Sequence, residues 1–339
     1  MKDRFYRVAT VLMLSGVLSV NADGGFFDNV KNINFGMSEA AVELDKECQN
    51  PVEPFNLSDN VASLGLLAAK AKGAGLVGSF FGKKDETSTL DIVKDGAKQL
   101  HWLPMSIEVA LADSRHQNRS DILPPERFKK EYGAANTILQ TLLAQIKEPH
   151  EYDFKIFIVR GSGKAAVASP GGYIYITRGI LKDREYATYA IAHEISHSLK
   201  RHETMALQSM LIDSVETADE ILSLVKSPEE NANKMLGKLA VTKLLFMKFH
   251  EDQELTADSC AIRFVRDAYP TQSHAIVSAF LESLPDTQIT NEKQDIVDLF
   301  QASIAKHPSS KVRKEHLIKL VKQKPKQHMS HNDAGQARF

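Results

Sequence analysis

Blocks of like charge are missing from this chain. Lys and Arg (42) and Asp and Glu (43) nearly cancel and are interspersed except in the last few dozen residues, which excludes the basic face that nucleic-acid binding requires. Long apolar runs are missing too. The run Val8 to Val20 falls short of the ~20 residues needed to cross a bilayer, and those between His197 and Glu254 are too short or too charged. Cysteine is scarcer still, with only Cys48 and Cys260 in 339 residues. Neither has a histidine, a helix N-terminus or a CxxC partner placed to make it a nucleophile. They leave room for a single disulfide or for two small buried thiols. No repeat of fixed period occurs, which argues against a tetratricopeptide-type appendage. What is present, 43% hydrophobic content at near-neutral charge, suffices for one large globular domain or two small ones.

Lys2, Arg4 and Arg7 precede the Val8 to Val20 run, and small residues at Val20 and Ala22 follow it. This order predicts a secretory signal peptide over 1–22, with a mature chain from Asp23 in an oxidising exported space, most simply a bacterial periplasm. An uncleaved anchor is the alternative. The residue directly after the cleavage point is Asp23 and not a cysteine, so a lipid anchor there has no support. Residues 23–90 read as a polar leader, with Pro51 and Pro54, followed by a Gly/Ala-rich helix from Ala62 to Lys84. That helix fits either a membrane surface or close packing within the fold.

Residues 91–321 form the domain that carries the chemistry, and 322–339 are a polar tail expected to be disordered. Arg127 to Lys147 places Ile138, Leu142 and Ile146 at helical spacing. Strands are predicted at Tyr152 to Arg160, Ala165 to Ala168 and Gly172 to Gly179, with a turn at Ser169 to Gly172. Helical pattern follows at once. It continues almost unbroken from Thr204 to Tyr269 except at Ser227-Pro228, then over Ser273 to Leu284 and Asn291 to Ala305. The fold class is α+β, mainly helical, with a small sheet packed above the helix described next.

That helix contains Ile191-Ala192-His193-Glu194-Ile195-Ser196-His197-Ser198. Residues four apart share a helix face, so His193 and His197 aim at one point, which is the bite of two zinc ligands. Glu194 is turned away from that point, where it can reach a water and act as its base. Ile191, Ile195 and Leu199 mark a buried side. A third ligand is sought on a second helix, His250 to Val265. There Glu254 and Asp258, again four apart, line up with Ala261 and Val265, while Asp252, Ser259, Arg263 and Arg266 read as the solvated face. Inward carboxylates are costly unless paired or bound to metal. Glu254 as third ligand and Asp258 as acceptor for an imidazole N–H fit that rule. Glu251 competes for the ligand role, and pairing of these acids with Lys or Arg from a neighbouring helix is the structural alternative.

Four segments carry a family resemblance: "SPGGYIYITRGIL", "AHEISHSLKRH", "ELTAD" and "KHPSSKVRKEHL". Together they resemble the zinc metallopeptidases that include the prenyl-protein (CAAX) endopeptidases, HtpX and the periplasmic BepA-type proteases. The resemblance covers roughly Tyr152 to Leu317. It departs where Ala165-Ala166 stand in place of a common Asn-Ala pair, and it lacks the membrane helices of some relatives. It implies a zincin-like domain holding one zinc through His193, His197 and Glu254, with Glu194 as catalytic base and Asp258 behind a ligand. His307 and Arg313 are candidate donors to the oxyanion, and His307 is alternatively a ligand that holds the enzyme latent. An extended polypeptide added as a strand along Lys164 to Ser169 is the expected substrate geometry, which favours unfolded or misassembled envelope proteins. A membrane or the outer-membrane assembly machinery is a candidate peripheral contact. The competing readings are a metal-bound, proteolytically silent scaffold or chaperone, and a helical module whose histidines are incidental.

Overall fold

The computed structural model describes residues 48, 51–53, 55, 59–69, 89–231, 249–284, 307 and 311–322, all within one compact unit, 41–339. The predicted signal peptide, the second half of the Gly/Ala-rich segment, the helix expected at Asn291 to Ala305 and the tail from 323 lie outside these residues. So does most of the long stretch between Asn231 and Phe249.

Helices α1 (59–69), α2 (Thr89–Gln99) and α3 (Met105–Gln117) lead to α4 (Lys129–Leu143) and the sheet strands β1 (Lys155–Val159), β2 (Ala166–Ser169) and β3 (Tyr173–Thr177). The motif helix α5 (Arg184–Leu199) comes next, then α6 (His202–Asp213), α7 (Ala218–Lys226), α8 (Glu251–Ala268), α9 (Ser273–Ser283) and α10 (Lys311–Lys322). Strand order is β1-β3-β2, with β1 parallel and β2 antiparallel to β3. Alternation sends Ile174 and Ile176 to the main core and Tyr173 and Tyr175 to a smaller cluster with Ala112 of α3. With both faces covered, every residue of β3 is buried.

The turn between β2 and β3 is the Pro170-Gly171-Gly172 stretch, and it needs its glycines. Gly171 has φ 77°, and a Cβ there would meet the α3 backbone at Val109, 3.0 Å away. The close approach lets Gly171 N–H donate to Glu108 Oε2 at 3.2 Å. Glu108 is fully buried, lies 2.8 Å from Arg201 Nη2 and also accepts from Tyr152 OH.

Helix α5 starts at Asp183, whose carboxylate accepts from Tyr186 N at 3.0 Å and is 2.6 Å from Lys164 Nζ. From Ala187 to Leu199 it is buried on every side, more deeply than the single apolar stripe suggests. It packs against α8, α9, β2 and α4. It ends where Arg201 adopts a left-handed conformation, φ 52°, and α6 begins immediately afterwards.

The structure differs from the sequence expectations at three places. The helical pattern from Thr204 is interrupted at Ser214 to Thr217, where Thr217 and Glu220 form a reciprocal cap. Residues Lys311–Lys322, to which the sequence pattern assigned no helix, form α10. That helix covers the face of α8 assigned to solvent: Ser259 is buried with Oγ 3.0 Å from His316 Nε2, and Arg266 donates to Leu320 O. Arg263 is held at 2.7 Å by Glu148. Of the two readings of the Gly/Ala-rich segment, its first half takes the packed one, with Leu64 and Ala68 in a second core formed with Val93, Trp102 and Leu211.

Cys48 and Cys260 are joined in a disulfide that clips the leader to α8. The leader is also fastened to the end of α5, where Glu53 N–H donates to Leu199 O and the Glu53 carboxylate meets Lys200. The bridge closes a separation of 212 residues, so loop-closure entropy predicts a loss of up to about 5 kcal/mol for the Cys48→Ala/Cys260→Ala double variant. Denaturant unfolding of the two proteins measures it. A loss below ~1 kcal/mol would show that the unfolded chain gains nothing from release of the clip.

Candidate metal centre

Two helices meet to make the site. His193 and His197, on facing turns of α5, bring their Nε2 atoms to 3.0 Å of each other. From α8, Glu254 places Oε2 at 3.4 Å from His193 Nε2 and Oε1 at 3.5 Å from His197 Nε2. His307 joins them, with Nδ1 2.9 Å from Glu254 Oε1. One ligand atom from each of His193, His197, Glu254 and His307 falls within 4.8 Å of the others. Glu254 is the acid that faces inward, while Glu251, its competitor, is exposed at the start of the same helix.

The surroundings explain how the rings are held. His193 Nδ1 lies 3.0 Å from Asp258 Oδ1, which also accepts from Tyr189 OH at 2.9 Å. His197 Nδ1 lies 2.8 Å from His202 Nδ1, and Phe249 stacks on the His197 ring with centroids 3.9 Å apart. Arg313 of α10 is buried against both acids of α8. Its Nε and Nη2 meet Asp258 at 2.6 and 2.9 Å, its Nη1 meets Glu254 Oε2 at 2.6 Å, and Nη2 comes within 3.3 Å of His193 Nε2. The expected oxyanion donor is thus engaged with the two carboxylates. The acids of α8 do pair with an arginine from a neighbouring helix, and they face the imidazoles as well.

Glu194 points away from the ligand atoms, as its place in the helix requires. Its Oε2 accepts from Ala168 N of β2 at 2.6 Å, and its Oε1 is 3.5 Å from His307 Nε2. The sheet edge and the motif helix are therefore tied at this side chain.

The electrostatics favour a cation. Burial would raise the Asp258 and Glu254 carboxyls, yet Arg313 and the neighbouring histidines hold both well below the usual carboxylate range. Burial is the largest influence on His193 and would lower it, but Asp258 and Glu254 together lift the ring to about 9. Burial lowers His197 strongly and takes His202 to about 3. Three buried carboxyl groups, Glu194, Glu254 and Asp258, face one buried guanidinium, Arg313. A divalent cation would balance that surplus, and a set of imidazole nitrogens with one carboxylate is a donor set that suits zinc.

A model of peptidase family M48 matches residues 130–321, more than half of the chain. The chain belongs to peptidase family M48. Among curated proteins, none matches it in sequence. The M48 family is one of zinc-dependent metallopeptidases, which makes this chain a metallopeptidase by descent, and its His/His/Glu cluster could hold a metal. The match spans α4, the sheet, α5, α8 and α10.

Three neighbours of the M48 site were not anticipated. Tyr189 could have been found, since it lies four residues before His193 on the same helix face. Ala168 carried no signal, because it acts through its main chain. His202 was hidden by the left-handed residue before it, which breaks the periodicity that would place it.

Proposed function

We propose that this chain is a zinc-dependent endopeptidase that hydrolyses unfolded or misassembled cell-envelope proteins in a periplasm, in the manner of BepA-type members of its family. The observation that carries the reading is the convergence of His193, His197 and Glu254 with Glu194 beside them. The N-terminal Lys2, Arg4 and Arg7 before an apolar run, together with the Cys48–Cys260 bridge, support export.

His193, His197 and Glu254 would hold the ion. When bound, zinc would supply Lewis acidity to the scissile carbonyl and acidity to water. Glu194 is the base. Ala168 N fixes its Oε2, which leaves Oε1 to take a proton from the attacking water and return it to the departing amine. His307, within reach of both Glu194 and Glu254, is positioned to donate to the developing oxyanion. Arg313 keeps Glu254 and Asp258 in place. An extended peptide would lie along β2, which pairs with β3 on one flank and meets Glu194 through Ala168; main-chain recognition of this kind demands little of the substrate sequence.

The contact of His307 with Glu254 favours a second reading, a proteolytically latent scaffold or chaperone in which His307 stays in the cluster. Zinc analysis and casein digestion by the purified full chain separate the two. One zinc per chain, with digestion that a chelator abolishes and added zinc restores, is the expected result. Zinc without digestion would favour the scaffold, and absence of zinc would overturn both.

A further inference from the structure

His202 lies just past the end of the motif helix, and its burial beneath a ring of the metal centre has no role in the reaction as described. In an unbroken helix a residue five positions after His197 would sit about 140° around the axis from it, on another face. The left-handed turn at Arg201 (φ 52°) redirects the chain. His202 then begins α6 with its Nδ1 only 2.8 Å from His197 Nδ1, the ring planes inclined at 73°.

Two ring nitrogens at that distance must divide the roles, one carrying the proton and the other a lone pair. The His197 Nε2 faces His193 Nε2 and Glu254, so the lone pair that could bind an ion must lie there. Its proton therefore sits on Nδ1 and is donated to His202. We propose that His202 is a positioning residue for His197, accepting the hydrogen bond that fixes its tautomer and turns Nε2 toward the ion site. With Phe249 stacked on the face of the ring and His202 on its edge, one orientation of His197 is left. The two imidazoles are then held unequally, His193 by the carboxylate of Asp258 and His197 by another imidazole. A carboxylate partner makes its imidazole the stronger electron donor, so the ion is bound by one strong and one weaker nitrogen.

This inference rests on the metallopeptidase reading of the site, and the test distinguishes the two. Three variants are compared with the wild-type full chain: His202→Asn, whose carbonyl oxygen can occupy the place of Nδ1, His202→Gln, whose oxygen lies one bond further out, and His202→Leu, which has no acceptor. Zinc dissociation constants are read by competition with a chromogenic chelator, and the melting temperature of each metal-free protein is recorded. His202→Leu and His202→Gln are expected to weaken zinc binding by about 10- to 100-fold, and His202→Asn by less than about threefold. Binding by His202→Leu within about threefold of wild type would overturn the proposal, as would an equal loss in His202→Asn and His202→Leu. If His202→Leu does not fold, the contrast between Asn and Gln decides in the same way. Wild-type protein that binds no zinc would overturn the metal reading and this one together.

Discussion

Replacing Glu194 by Gln is expected to leave zinc content and fold unchanged and to lower peptide hydrolysis by about 10²- to 10⁴-fold, the contribution of a positioned general base. The geometry makes this substitution clean. Glu194 lies outside the group of side chains that offer ligand atoms, so the ion loses nothing. Its Oε2 accepts from Ala168 N, and the carbonyl oxygen of a glutamine can accept the same bond. Only the basic oxygen is lost. Turnover of a fluorescent peptide and zinc per chain, measured on the same preparation, check the expectation. Unchanged turnover would take the base away from Glu194, and a fall in zinc equal to the fall in turnover would make it a metal-holding residue.

A second large effect, on stability, is expected away from the candidate ion site. Glu108→Gln should destabilise the protein by about 3–5 kcal/mol, because it leaves the buried Arg201 guanidinium without its counter-charge. The reverse change should cost less at low pH. Arginine cannot release its proton at any accessible pH, whereas a stranded glutamate can take one up. Burial already pushes Glu108 above its ordinary value, with Arg201 as the chief opposing pull. In Arg201→Met that pull is gone and the folded-state pKa rises further above the unfolded one. The stability tied to the protonated form is then present in acid and lost as pH rises through the higher value, so the deficit of Arg201→Met grows from acid to neutral pH. Urea unfolding of both variants across that range tests the sign. Equal deficits for the two at every pH would contradict it. Because Arg201 is also the left-handed residue that turns the chain toward His202, the pair holds the metal centre's edge as well as the fold.

The convergence of side chains at the candidate metal centre was legible for a simple reason. Spacing of four on a helix is a local, periodic signal, and both the His193/His197 pair and the Glu254/Asp258 pair use it, on two helices that pack directly. The sheet was legible from its β-branched and aromatic strands and its glycine turn. Arg313 was singled out, but its partners were not, because α10 is so rich in lysine that its buried side, Arg313, Leu317 and Leu320, is easily passed over. Its covering of Ser259 and Arg266 was missed for the same cause. The interruption at Ser214 to Thr217 could have been read, since Thr217 and Glu220 stand at the spacing of a capping box. His202 could not, because a single residue with positive φ resets the phase of everything after it.

The position of the covalent clip bears on how the molecule is made. Cys48 leaves the ribosome long before Cys260, and Glu254 and Asp258 are synthesised only a few residues ahead of the second thiol. The bridge and the carboxylate pair thus share one short segment of chain, Glu254 to Cys260, and closing the clip anchors the helix that carries both acids. With two thiols in these 339 residues there is one way to pair within a chain, so mispairing of this protein with itself requires two copies. Such an error would appear as a covalent dimer on a non-reducing gel.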